Sequence, residues 1–159
     1  MASDKTFHYK ITNTWTGNLG SGTSEYKAFS RDHTLHSESK PDILASSDPA
    51  FRGDEKRWSP EDMLVASLSG CHMLWYLHLC AEAKVVVTKY VDTCEGLMTV
   101  HPGGAGAFQS VTLRPEVTIV DASMKEKAMN LHQEAHKKCF IANSVNFSVS
   151  IEAKIFTTS

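Results

Sequence analysis

The strongest feature of the hydrophobic pattern is an apolar segment that begins near residue 60. EDMLVASLSGCHMLWYLHLCAEA runs for more than twenty residues with no helix breaker stronger than Gly70. Apolar side chains occupy nearly every side of the helix that this segment predicts. Ser59 suits the N-cap, Pro60 suits the first helical position, and two acids, Glu61 and Asp62, favour the first turn. A helix that is apolar all round is expected to be buried on all sides, by surrounding sheets or by a second subunit.

Alternating polar and apolar positions on both sides of this helix predict short strands. The predicted strands are Thr6–Trp15, Thr23–Ser30, Thr34–Glu38, Val85–His101, Phe108–Val120 and Ser144–Thr157. Between the third strand and the helix, residues 39–57 carry turn residues and little periodicity, which predicts a loop of about 19 residues.

A second helix is predicted from Asp121 or Ser123 to a point near Cys139, with Ala128 and Ala135 on its apolar face. Leu131 and His132 belong to the same face. The element order is therefore βββ-α-ββ-α-β. Strands in hairpin order with two interspersed helices predict an α+β fold with antiparallel sheets, in a single domain over residues 1–159.

Charge and composition narrow the functional classes. The chain of 159 residues carries 16 Lys and Arg against 18 Asp and Glu, with a net charge of −2. Such a balance provides no basic surface for nucleic acid or for an anionic membrane. The segment MASDKTFHYK lacks the features of a signal peptide, and no apolar run approaches the roughly 18 residues that a membrane span needs. We therefore expect a cytoplasmic protein.

The four cysteines are widely spaced and form no CxxC pair, which argues against a zinc ribbon or a thioredoxin-type motif. Cys71 lies in the middle of the apolar helix, where burial raises the pKa of a thiol and favours an inert residue. A reactive Cys71 would need a cation beside it. Arg52, Arg57 and Arg31 are the candidates near the loop.

The remaining cysteines differ in their surroundings. Cys80 lies nine residues after Cys71 and so faces the opposite side of the helix, and Cys94 falls within a predicted strand; both favour structural roles. Cys139 follows His132 and His136, whose HxxxH spacing is also that of a metal-ligand pair or of a nucleophile and its base. In a chain with eight histidines, ordinary imidazoles are the favoured interpretation.

The position of Glu61 on the predicted helix limits which residues it can contact. Ten residues separate it from Cys71, which is about 15 Å along a continuous helix. A carboxylate at this position cannot touch Cys71 of its own chain. Like the apolar helix, it favours a second subunit.

Two segments, RWSPEDMLVASLSGCHMLWYLHLC and AHKKCFIANSV, resemble the OsmC/Ohr family of thiol-dependent peroxidases, and the resemblance covers essentially the whole chain. It implies an intertwined homodimer in which antiparallel sheets surround central helices. Phe140 stands where the Ohr branch usually has proline, and the N-terminal Gly-Gly-Arg loop of that branch is missing. The chain is therefore more similar to the OsmC-like branch.

The resemblance also implies roles for individual residues. Cys71 matches the peroxidatic cysteine, which becomes a sulfenic acid, and Cys139 matches the resolving cysteine, which forms a disulfide with it. Glu61 matches the glutamate that positions an arginine near the thiolate. Arg52 is the favoured arginine and Arg57 the alternative. No cofactor or metal is implied; the reductant would be an external dithiol, such as a dihydrolipoyl group on a lipoylated protein.

We therefore expect an antioxidant enzyme of the oxidative stress response that reduces organic hydroperoxides. The alternative is a non-catalytic thiol redox sensor or small-ligand-binding protein on the same scaffold. A weaker third hypothesis is a cysteine hydrolase that pairs Cys71 or Cys139 with a histidine.

Overall fold

The structure, a computed structural model, describes residues 3–158. Its helices are α1, Pro60–Glu82, and α2, Lys125–Lys138. Its strands are β1 Thr12–Trp15, β2 His33–His36, β3 Ile43–Ala45, β4 Val87–Asp92, β5 Glu95–Val100, β6 Gly106–Leu113, β7 Pro115–Ile119, β8 Ser148–Ile151 and β9 Lys154–Thr157. The fold is mixed α+β, as the pattern predicts. The chain divides into two compact units, Met1–Met63 and Leu64–Ser159; the single domain over 1–159 stays a prediction.

The first unit contains the antiparallel sheet β1-β2-β3. Strand β3 lies inside the segment predicted as a loop. It forms through contacts distant in sequence, because the Trp58 N–H donates to Leu44 O at 3.2 Å and the Ser46 N–H donates to Trp58 O at 3.0 Å. Three residues have too little periodicity of their own to reveal such a strand.

The predicted strand Thr23–Ser30 is wrong, because the segment folds into turns. The Arg31 guanidinium stabilises them by donating to two main-chain carbonyls, Phe29 O at 2.6 Å and Tyr26 O at 2.7 Å. It also lies 4.0 Å from the centroid of the Phe29 ring. The aromatic residues Tyr26 and Phe29, which favour a strand, pack against the Arg31 cation instead.

The second unit contains two sheets, β4-β7-β9 and β5-β6-β8. Each long strand predicted here is broken in two. The break between β6 and β7 is Arg114, whose guanidinium donates to Glu152 at 3.1 Å and Glu95 at 3.2 Å, while its N–H donates to Asp92 at 2.7 Å. A polar network therefore accompanies the bend from one sheet to the other.

The expectation of antiparallel sheets holds for the pairs β4–β7 and β5–β6 but not for the last two strands. β8 pairs with β6, and β9 pairs with β7, in parallel. The physical reason is the helix between them: a strand that returns after a crossover helix runs in the same direction as the strand it left.

Helix α1 begins where the sequence predicts. The Ser59 hydroxyl accepts the Asp62 N–H, and the Asp62 carboxylate accepts the Ser59 N–H, both at 3.1 Å, a reciprocal cap that fixes the first turn. Burial differs from the prediction, because within the single chain one stripe of the helix is buried. The stripe consists of Leu68, His72, Tyr76 and Cys80.

Helix α1 is longer and more continuously apolar than we expected from the sequence of any segment in this chain. By length and composition alone, an 18-residue window of this helix could cross a membrane. The expectation that no segment reaches that length is wrong in this respect. The core helix of a soluble protein passes the same test, and 28% of the window is buried in the single chain. Along α1 the large apolar side chains are buried or half-buried within the single chain, except Leu74, which is exposed.

Helix α2 confirms the predicted second helix. Asp121 accepts the Ser123 N–H at 2.8 Å and caps a short 3₁₀ turn that leads directly into α2. Ala128, His132 and Ala135 are its buried residues. The helix ends at Lys138, one residue before Cys139.

Candidate active site

Cys71 and Cys139 come together in the second unit. Cys71 lies near the middle of α1 and is half-buried, whereas Cys139 follows the end of α2 and is 1% exposed. The Cys71 thiol is close enough to the Cys139 thiol to raise the pKa of Cys139. Residues 68 positions apart in the sequence thus form one thiol pair.

The two thiols are not equivalent. Burial, followed by the neighbouring Cys71, raises the pKa of Cys139 to about 11, against weaker opposing hydrogen bonds from the N–H groups of Ala142 and Ile141. The Ala142 N–H lies 3.4 Å from Cys139 Sγ. Cys139 therefore stays protonated at neutral pH and can donate its S–H to a neighbouring thiolate.

An apolar cleft of about 270 Å³ is lined by Leu74, Trp75, His78 and Phe140. The Trp75 and Phe140 rings meet edge to face with centroids 5.5 Å apart, and the Lys138 ammonium lies 5.3 Å from the Trp75 ring centroid. Trp75 is one helical turn beyond Cys71 and Phe140 directly follows Cys139. The cleft therefore adjoins the thiol pair.

Cys80 and Cys94 lie elsewhere in the second unit. Cys80 is buried in a cluster with Tyr76 and Val85, where burial raises the pKa of its thiol against the hydrogen bond with Tyr76. Cys94 is half-buried at the break between β4 and β5, against the cluster that contains Leu68. Both have the surroundings of structural residues.

Arg52 and Glu61 belong to the first unit. Arg52 is exposed, has the left-handed backbone conformation with φ of 67° after a short 3₁₀ turn, and its guanidinium lies 5.9 Å from the Tyr26 ring centroid. Glu61 lies in the first turn of α1, with Oε2 buried and without a hydrogen-bond partner among residues 3–158. Helix α1 is continuous from Glu61 to Cys71. The estimate of about 15 Å between these residues along the helix requires this continuity.

The two other arginines are more firmly held in the first unit. Arg57 Nε lies 3.5 Å from Asp32 and 3.8 Å from Asp54. Arg31 is held by the carbonyl and ring contacts described above. Within the described part of the chain, Arg52 has no ion pair, so it is the arginine with the greatest freedom to serve another group.

The sequence pattern missed His72. His72 Nε2 and His132 Nδ1 lie 3.0 Å apart, in rings that are 1% and 3% exposed. Burial lowers the pKa of His72 to about 4 and that of His132 to about 3. The four-residue spacing of Leu68, His72 and Tyr76 places them on one face of the helix. Because the helix is apolar on nearly all sides, the sequence does not show that this face is the buried one.

No cluster of three or more His, Cys, Asp or Glu side chains within residues 3–158 is arranged to hold a metal ion. The HxxxH pair of α2 is used differently: His132 bonds to His72, and His136 Nδ1 is buried without a partner in the described residues.

Comparison with known proteins agrees with this fold. A family model described as OsmC-like protein matches residues 53–154. An OsmC-like protein of unknown function from Vibrio cholerae has 30% identity and a TM-score of 0.85, over 94% of this chain and 100% of that chain. No curated protein matches the sequence.

More distant structures share the fold. An organic hydroperoxide resistance protein from Elizabethkingia anophelis has 17% identity and a TM-score of 0.67, covering 97% of this chain and 100% of its own. One from Legionella pneumophila, also described as OsmC, has 14% identity and a TM-score of 0.63, with coverages of 95% and 99%. With a family model over most of its length and a relative at 30% identity, this chain belongs to the OsmC-like family.

Proposed function

We propose that this protein is a thiol-dependent peroxidase that reduces organic hydroperoxides through Cys71 and Cys139. The observation that carries the proposal is the thiol pair, in which a buried Cys139 with a raised pKa adjoins a half-buried Cys71. Cys139 is the thiol that stays protonated, so the nucleophile role falls to Cys71. Two structures with the same fold are named organic hydroperoxide resistance proteins.

The first step oxidises Cys71. Its thiolate attacks the terminal oxygen of R–O–O–H, a sulfur–oxygen bond forms, and the O–O bond breaks with its electron pair on the alkoxide. The alkoxide takes up a proton and leaves as the alcohol, and Cys71 becomes a sulfenic acid.

The second step forms the disulfide. Cys139 sulfur attacks the sulfenyl sulfur of Cys71, the S–O bond breaks, and hydroxide leaves as water with the thiol proton of Cys139. An external dithiol, such as a dihydrolipoyl group, then restores both thiols by two exchange reactions and is itself oxidised to a disulfide. No bound cofactor takes part in this cycle.

The cleft beside the thiols supports an apolar substrate. Leu74 and Phe140 are 65% and 67% exposed and provide apolar surface for the R group of the hydroperoxide. We assign Arg52, oriented by Glu61, to the peroxide and the thiolate, since a cation near sulfur stabilises its charged form. A cytoplasmic location fits four free cysteines.

Dithiol-coupled consumption of cumene hydroperoxide tests the activity. Wild type should turn over steadily, Cys71→Ser should not react, and Cys139→Ser should react once and stall as a sulfenic acid. Cys80→Ser and Cys94→Ser are the matched controls and should keep the activity. After one equivalent of hydroperoxide, peptide mapping should find a Cys71–Cys139 disulfide.

Other outcomes would contradict the proposal. A bridge that contains Cys80 or Cys94, or full turnover by Cys71→Ser, would show that the wrong cysteines are assigned. Single oxidation of wild type without turnover would favour the redox sensor. If Arg52→Ala kept wild-type activity while Arg57→Ala or Arg31→Ala lost activity, the arginine beside the thiolate would be Arg57 or Arg31 and not Arg52.

We also propose a homodimer, because the single chain leaves large apolar side chains exposed, among them Phe7, Ile11 and Leu97. Burial of such surface stabilises association by roughly 25 cal/mol per Å². Analytical ultracentrifugation should show a dimer, and a stable folded monomer of 17.6 kDa at micromolar concentration would contradict it.

A further inference from the structure

Three histidines lie between α1 and α2, close to the thiol pair but without a role in the proposed chemistry. His72 of α1 and His132 of α2 share a 3.0 Å hydrogen bond. His136 is close enough to His72 to act on it electrostatically. We call these three residues the histidine cluster. Its members flank the cysteines in the sequence, because His72 follows Cys71 and His136 precedes Cys139 by three residues.

The cluster is packed for neutral rings. The Tyr76 ring stacks on His132 at a centroid distance of 3.8 Å, and the Tyr76 hydroxyl donates to the Ala128 carbonyl at 3.0 Å. The outer nitrogens, His72 Nδ1, His132 Nε2 and His136 Nδ1, are buried and have no partner within residues 3–158. A proton added to His72 Nδ1 or His132 Nε2 would be a buried charge without a hydrogen-bond acceptor.

Neighbouring charges offer little compensation. Asp92 of β4 is the carboxylate that acts on His72, but its two oxygens already accept the Ser69 hydroxyl at 2.6 Å and the Arg114 N–H at 2.7 Å. Lys137 lines the same cavity as His132 and His136 and pairs with Glu134 at 2.8 Å. Other titratable groups near the cluster include Tyr76 and Tyr90, whose ring centroids lie 5.9 Å apart. Both are neutral until strongly alkaline pH, since burial raises the pKa of each.

We propose that the histidine cluster is a pH-sensitive contact between α1 and α2, which opens on mild acidification and thereby exposes Cys139 and separates it from Cys71. If His72 and His132 each carried a proton on both ring nitrogens, two N–H donors would face each other across the 3.0 Å contact. When α2 moves away, the imidazoles reach water and take up protons at their ordinary pKa. Acid therefore favours the open arrangement.

The size of the response follows from the linkage between protonation and opening. The lowered folded-state pKa values, about 4 for His72 and about 3 for His132, favour the closed contact above pH 6.5, and this advantage is lost as the pH falls below 6.5. Between pH 7 and pH 5 the opening equilibrium should rise roughly 20-fold for each imidazole, hence several hundred-fold for the two.

Thiol labelling measures the opening directly. The rate of Cys139 labelling by 4,4′-dithiodipyridine is compared at each pH with its rate in the urea-unfolded chain, which cancels the pH dependence of the reagent. The protection of Cys139 should fall several hundred-fold from pH 7 to pH 5. Amide hydrogen exchange should show the same loss in α2, while β6 keeps its protection.

Variants connect the response to the imidazoles. His132→Phe keeps a ring against Tyr76 and should reduce the response to roughly 20-fold; the double variant His72→Leu/His132→Phe should abolish it. His101→Gln, which removes an exposed imidazole, is the matched control and should respond as wild type. If the double variant does not fold, the single variant and the wild-type measurements still decide the question.

Three results would overturn the proposal: equal protection of Cys139 at pH 7 and pH 5, loss of protection in β6 by the same factor as in α2, or a wild-type response in His132→Phe. The second result would mean global unfolding. The consequence for disulfide formation rests on the proposed function, but the contact does not, since labelling is measured without peroxide. A protein without peroxidase activity could therefore still show the contact.

Discussion

Raising the pH above 9 should weaken the fold through Cys139. Burial and the neighbouring Cys71 raise the pKa of this thiol from 9.0 to about 11. The folded chain therefore favours the protonated thiol, and this contribution to stability is complete below pH 9 and is lost as the pH rises toward 11. Two pKa units correspond to about 3 kcal/mol, of which about 1 kcal/mol is lost by pH 10.

A comparison of variants isolates this contribution from other alkaline effects. Urea unfolding is measured at pH 8 and pH 10 in a reducing buffer for wild type and Cys139→Ala. The alanine variant loses packing at both pH values, but its loss of unfolding free energy should be about 1 kcal/mol smaller at pH 10. Val111→Ala, at another fully buried position, removes no titratable group and should cost the same at both pH values.

The comparison with Cys139→Ala is necessary because Cys80, Tyr76 and Tyr90 also have raised pKa values. These groups also lower the unfolding free energy of wild type at alkaline pH. An equal penalty for Cys139→Ala at pH 8 and pH 10 would refute the raised pKa of Cys139. In a Cys71→Ala background the difference should shrink, since Cys71 is the second cause of the shift.

Three substitutions test the packing of the fold by urea unfolding. Tyr76→Phe should cost about 1–2 kcal/mol, because the buried Ala128 carbonyl loses the donor at 3.0 Å; an unchanged midpoint would mean that water replaces it. Ser59→Ala should cost about 1 kcal/mol by removing the N-cap of α1, and restoration by Ser59→Thr is the check. Gly96→Ala should cost about 1–3 kcal/mol, since a Cβ would lie 2.7 Å from the Phe108 ring; a neutral result would show that the ring can move.

The helices could be predicted from the sequence because their signals are local. The cap of α1 consists of Ser59 and Asp62, three residues apart, and a spacing of three or four residues on α2 identifies Ala128, His132 and Ala135. Strand β3 could not be predicted, because it depends on main-chain bonds with Trp58. The parallel pairing of β8 and β9 likewise depends on where α2 returns the chain.

The thiol pair and the histidine cluster differ in how visible they are in the sequence. Cys71 and Cys139 stand out through their resemblance to a two-cysteine family pattern, and in the structure Cys71 is close enough to Cys139 to raise its pKa. His72 has no such signal. On a helix that is apolar all round, hydrophobicity does not indicate which stripe faces α2, so a buried polar partner such as His132 cannot be assigned.

The positions of Cys71 and His72 on α1 lead to a last prediction. The two residues are adjacent, so their side chains diverge by about 100°, yet His72 bonds to His132 of α2 and Cys71 acts on Cys139, the residue directly after α2. A Cys71–Cys139 disulfide would connect α1 covalently to the end of α2 and should hold the histidine cluster closed. Coupling of this kind is reciprocal, so acid opening should in turn disfavour the disulfide. Hydrogen exchange of α2 at pH 5 is the measurement, with the oxidised form prepared by one equivalent of hydroperoxide or by diamide. The oxidised chain should keep the protection that the reduced chain loses, and the Cys139→Ser variant should lose protection with or without oxidant. Equal exchange in the oxidised and reduced chains would show that the thiol pair and the histidine cluster act independently.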